Sequence, residues 1–231
     1  SVIIEYNGMR LVSNFEKMQL PTGWGVEQQI TCVDGSTFQM YMANMKSIFM
    51  DMIKNTDMVI FNRCKKEDPL PTYRRGIKVA NQRAEVIFED EEGELGDIFQ
   101  DEMPFDMNAP VIEILPEDYG IWFVDAMDHP ENYEGKTVKF KARVMKPRGM
   151  GSKFFVPGRT AMTCCADDTT FLGYVCKSAY APKLTPGEWV EVTAKVGIEK
   201  RNEYQGEEGI VLAAEHVEQC DPLEDEMVYF N

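Results

Sequence analysis

Met162-Thr163-Cys164-Cys165-Ala166-Asp167-Asp168 sets two thiols beside two carboxylates. That donor set suits a soft or borderline cation such as zinc. Neighbours in a regular strand point to opposite faces, so Cys164, Cys165 and Asp168 converge on one ion only at a turn or bulge. Cys176 and His216 are further candidate ligands. The plainer reading of these thiols is packing, because free cysteine is among the most buried residue types.

A second set of polar residues lies where apolar runs end. Glu5 with Gly8, Asp34, and Asn62 each follow a short hydrophobic stretch. In parallel sheets, chemistry sits in loops at the carboxyl ends of the strands. An acid beside a glycine turn suits a metal-bound water near a phosphate, and an asparagine suits the edge of a nucleotide base. Asn and Asp also end strands simply because they favour turns. The phosphate-cradling pattern Gly-x-x-x-x-Gly-Lys-[Ser/Thr] is absent from the 231 residues. Gly149-Met150-Gly151-Ser152-Lys153 reads only as a flexible, basic turn between β segments.

The elements that would position these groups differ between the two halves. Residues 1–93 alternate short apolar runs with helical periodicity. Strands are expected at Val2–Tyr6, Gln29–Val33, Met58–Phe61 and Ala84–Phe88. Helices are expected over Thr37–Lys54 and after Pro69. The fold class is therefore α/β, a parallel sheet with crossover helices. Residues 94–110 read as an acidic linker. From 111 to 231 the pattern becomes short alternating strands between turn residues. Val138, Phe140, Ala142 and Val144 alternate with Lys139, Lys141 and Arg143, as a half-buried strand requires. An all-β, OB-like barrel is expected there, with a β-sandwich as the alternative.

Charge narrows the partners. The net charge is −15, and residues 94–231 carry 13 basic and 26 acidic side chains. Such a field repels phosphate backbones, so nucleic acid is not an expected partner. No apolar run approaches the length of a membrane span. The six cysteines contain no Cys-x-x-Cys pair, and no secretory signal precedes them, so reduced thiols in a cytoplasmic protein are expected. The opening at Ser1, directly inside an apolar run, reads as a fragment, and its unpaired sheet edge predicts a homo-oligomer.

Ile3-Ile4-Glu5-Tyr6-Asn7-Gly8, Val33-Asp34, Asp57–Arg63 and Val79–Ile87 together resemble the CobW-like GTPases, relatives of HypB and UreG. The resemblance implies the later part of a P-loop NTPase without its phosphate loop, acting as a metallochaperone on GTP and magnesium. It implies that Glu5 orients the magnesium-bound water and that Gly8, Asn62 and Arg63 line the guanine nucleotide. Arg63 stands where that family has Lys, and Lys65 where it has Asp. Tyr133-x-Gly135-Lys136, Met162-Thr163-Cys164-Cys165 and Gly187-x-Trp189 resemble the C-terminal domain of YcgQ-like proteins, which implies a metal-receiving protein or membrane permease as partner. The function expected is the C-terminal portion of a GTP-binding metal-homeostasis protein, with GTP hydrolysis only when a P-loop segment is present. The alternative is a non-enzymatic metal- or partner-binding module.

Overall fold

In the computed structural model, which describes residues 1–96, 103–163 and 169–229, a short helix α1 (Val12–Glu16) precedes the first strand, β1 (Ile30–Asp34). The chain continues through α2 (Phe38–Ile53), β2 (Met58–Asn62), α3 (Leu70–Ala80) and β3 (Glu85–Phe88). The three strands form one parallel sheet in the order β1-β2-β3, with Ile30 opposite Met58 and Met58 opposite Glu85. Helical spacing on α2 buries Phe38, Phe49, Met50 and Ile53. Pro71 sits in the first turn of α3, whose Leu70, Tyr73 and Ile77 are buried. Phe38 meets the Phe61 ring edge-on at 4.9 Å, and Phe61 stacks on Phe88 at 4.8 Å. Each ring removed from water contributes roughly 2–3 kcal/mol, so this cluster is what holds helices to sheet.

The expected first strand does not form. Val2–Tyr6 has no regular structure, and Ile3 is 99% exposed. An apolar run becomes a strand only where a sheet edge pairs its backbone groups, and among the described residues β1 pairs with β2 alone. The P-loop α/β expectation is corrected accordingly. What stands is a small parallel sheet of three strands with its helices.

Residues 103–162 and 170–229 form the second compact unit. Its elements are β4 (Ile112–Glu113), α4 (Tyr119–Asp128), β5 (Thr137–Met145), β6 (Phe154–Met162), β7 (Thr169–Gly173), β8 (Val175–Lys177), β9 (Trp189–Lys200), β10 (Glu208–Gln219) and β11 (Met227–Val228). Five strands close into a ring, β5-β6-β8-β10-β9 and back to β5. All its pairings are antiparallel except β8 with β10. β4 and β11 add parallel pairs to β5 and β6, and β7 pairs with β6. The β-barrel expected for this half is present, and its form is compatible with an OB fold.

Strict alternation on β5 turns Val138, Phe140, Ala142 and Val144 inward against Val190, Val192 and Ala194 of β9. α4, absent from the sequence expectation, packs Trp122 on Phe140 at 4.9 Å and Phe123 on Tyr174 at 4.7 Å. The sequence pattern predicts two short strands, Lys153–Val156 and Ala161–Cys165, where β6 runs straight through Pro157-Gly158. β7 passes so close that a side chain at Gly158 would collide with the Leu172 carbonyl oxygen.

Candidate functional site

The barrel carries a cleft between the β5–β6 loop and the β9–β10 loop. Pro147, Arg148, Gly149, Met150 and Gly151 line one wall, and Lys200, Arg201, Asn202 and Glu203 the other. Its volume is about 610 Å³, within the range of ligand clefts.

Both loops are set by local chemistry. Met150 donates its amide to the Pro147 carbonyl at 3.3 Å, closing a turn whose third residue, Gly149, has φ +87°. That is the type II geometry, which places glycine there. Lys146 fixes the start of this loop by donating to the carbonyls of Ala181 and Leu184, each at 2.6 Å. Across the cleft, Tyr204 pins the other loop. Its hydroxyl donates to the Ile210 carbonyl and accepts from the Val175 amide at 3.2 Å.

Arg201 is the most constrained cation of the cleft. It donates to both carboxylate oxygens of Glu203, at 2.9 and 3.2 Å, and lies 3.7 Å from Glu199. The Glu203 bond raises the Arg201 pKa further, and the Arg201 bond lowers that of Glu203. Among the described residues, Arg148 and Lys200 have no ion-pair partner. They are exposed, and their charges are available to a ligand. The lining contains no His, Cys, Ser, Thr or Tyr, and its one carboxylate is engaged by Arg201. The groups it presents are cationic side chains, one engaged carboxylate and backbone.

The strand-end residues lie in the other unit. Arg63 donates to Asp34 at 2.6 Å across the ends of β1 and β2, and its φ of +55° places it in the left-handed region. Asn62 ends β2; its backbone carbonyl accepts from Gly35 at 2.8 Å, and its side-chain Oδ1 is buried without a partner among the described residues. Asp34, Asn62 and Arg63 are thus brought together. Glu5 is exposed in the irregular N-terminal stretch, away from any strand end, and Gly8 accepts from the Tyr41 hydroxyl at 3.5 Å.

Cys164, Cys165 and Asp168 lie outside the described residues. Cys176, a further candidate ligand, is fully buried, and burial pushes its thiol up to about 12. His216 is exposed on β10, its Nε2 3.4 Å from Glu218. Among the described residues, no group of three or more His, Cys, Asp or Glu side chains is placed to hold a metal. Likewise, no described helix is long and apolar enough to cross a membrane.

Sequence reasoning passed over the cleft. The available signal was two short basic, glycine-containing loops, Pro147–Lys153 and Lys200–Gly206, inside an otherwise acidic half.

The fold and cleft define a small β-barrel domain with a loop-bounded cleft. The family model of the DUF1980 C-terminal domain matches residues 94–230, more than half of the chain, and the chain belongs to that family. This overturns the CobW-like assignment, because the matching family is not a CobW or GTPase family. No curated protein matches the chain. Among solved structures, the chain is similar to the mitochondrial single-stranded DNA-binding protein of S. cerevisiae, at 10% identity and a TM-score of 0.24, over 38% of this chain and 97% of that one. It is also similar to aspartyl-tRNA synthetase from Entamoeba histolytica, at 15% identity and a TM-score of 0.27, over 51% of this chain and 27% of that one.

Proposed function

We propose that the chain is a non-enzymatic binding module whose ligand seats between the loops 146–153 and 201–207 of the barrel. The ring runs first, second, third, fifth and fourth strand, the order of an OB fold. In that fold the loops joining strands one to two and four to five flank the ligand. The two cleft loops hold those positions, and the cleft between them is the observation that carries the reading. The lining supports holding a ligand without transforming it, since it offers hydrogen-bonding groups and charge but no free acid–base pair.

Amide NMR of the full chain against a mixture of small polar fragments tests this. Saturable shifts confined to residues 147–151 and 200–203 are expected. Shifts confined instead to the strand ends at Asp34 and Asn62 would place the binding surface in the other unit and sink the proposal.

A second reading, carried by the sequence segment Met162–Asp168, is that Cys164, Cys165 and Asp168 hold a metal such as zinc. Titration of zinc into the chain and into Cys164→Ser tests it. Equal zinc uptake by both removes the reading.

A further inference from the structure

Building on the cleft proposed above, we infer that its ligand is a compact anion, a phosphate or carboxylate group on a small molecule. Two features point to that chemistry, the first and the third, and the second identifies which cations are free to serve it. First, Arg148 and Lys200 stand on opposite walls, and neither has an ion-pair partner among the described residues. Second, Arg201 is held by Glu203 and Glu199 and lies over Phe154, so it forms a fixed wall and leaves recognition to the other two cations. Third, among the described residues the amides of the lining residues Arg148, Gly149 and Gly151 donate to no backbone carbonyl. Free amides on a glycine turn, with no side chain to fend off a ligand, are suited to anionic oxygens. Hydrogen bonds from charged donors to such oxygens are roughly twice as strong as neutral ones.

Charge outside the cleft sets the size. Residues 94–231 carry twice as many acidic as basic side chains. A small anion feels the cleft's own cations, whereas a long polyanion must also lie against acidic surface, where it is repelled. Compactness is therefore selected electrostatically. The preference belongs to the same site as the binding-module reading, and the probes below separate the two.

The test is amide NMR of the full chain with four separate probes: inorganic phosphate, citrate, a neutral oligosaccharide and a ten-nucleotide oligothymidylate. Phosphate or citrate is expected to shift residues 148–152 and 200–202 saturably. Raising the salt concentration should weaken that binding. The double variant Arg148→Gln/Lys200→Gln should weaken it at least tenfold. Both side chains are exposed, so the rest of the variant's spectrum should overlay that of the parent. If the oligosaccharide shifts these amides and the anions do not, the anion class is overturned while the cleft remains a binding site. If oligothymidylate binds there more tightly than phosphate and citrate, compactness is overturned. If none of the four moves these residues, the inference fails, and the binding-module reading then rests on the fragment mixture alone.

Discussion

The guanidinium of Arg201 lies over the ring of Phe154, its central carbon 4.4 Å from the ring centroid. Arg201 opens one cleft loop, and Phe154 is the first residue after the other. One contact therefore ties together two loops far apart in sequence, and the width of the cleft depends on it.

Replacing Phe154 with Leu keeps apolar volume but removes the face on which the cation rests. The expected loss is about 0.5–1 kcal/mol of stability. Amide exchange across residues 201–207 should quicken while that of β9 stays unchanged. Unaltered exchange in the loop would show that the Glu203 and Glu199 contacts alone hold Arg201.

Arg159 is 2% exposed and has no carboxylate partner among the described residues. It donates instead to the carbonyls of Pro116, Asp225 and Met227, the last two at 3.0 and 3.1 Å, and lies over the Tyr119 ring at 5.6 Å. Its pKa is lowered by desolvation. Arg159→Ala leaves three acceptors unserved and is expected to cost about 3 kcal/mol, with faster exchange at Met227 and Val228. Urea denaturation checks the first expectation and hydrogen exchange the second.

The buried thiols predict a loss of stability in alkali. Burial pushes Cys176 from the ordinary 9.0 up to about 12, and Cys64 up to about 11. Between pH 9 and 12 the unfolded chain has shed these protons while the folded chain still holds them. Stability therefore falls as pH rises through that window. Cys176→Val should flatten the fall in denaturant midpoint between pH 9 and 12. At pH 8 a thiol reagent should modify exposed Cys32 well before Cys176.

Asp34 predicts the opposite dependence in acid. The Ser36 hydroxyl, 2.6 Å away, and then Arg63 hold its carboxyl below the ordinary 3.8. Its contribution is present in full above 3.8 and disappears as pH falls through the lowered folded value. Ser36→Ala should raise the titration midpoint of Asp34 in carboxyl carbon NMR; an unmoved midpoint would assign the lowering to Arg63.

Periodicity made most of this fold legible. The alternation from Thr137 to Met145 is one strand in the structure with the same ends, and the helical spacing after Ser36 is α2. Local pattern was less informative where pairing or packing decides. Val2–Tyr6 has strand composition but no strand partner, and Pro157-Gly158 has turn composition inside an unbroken strand. α4 is apolar on nearly every side, Trp122, Phe123 and Val124 all being buried, so it lacked the one-sided stripe that marks a helix. The cleft was illegible for a different reason. Residues 148 and 200 become neighbours only through barrel closure, and no spacing along the chain encodes that.

Closure itself rests on little. β5 and β6 share three opposed pairs, Arg143 with Gly158, Val144 with Pro157 and Met145 with Val156, and the middle one includes a proline, which has no N–H to give. β9 and β10, by contrast, stay paired from Glu208 opposite Lys200 to Gln219 opposite Val190. Considered mechanically, the ring is a hoop with a clasp. β6 and β8 share fewer pairs still, Phe154 with Lys177 and Phe155 with Cys176, so tension on the chain should open the ring along β6, turning the barrel into a curved open sheet while β9 and β10 stay zipped.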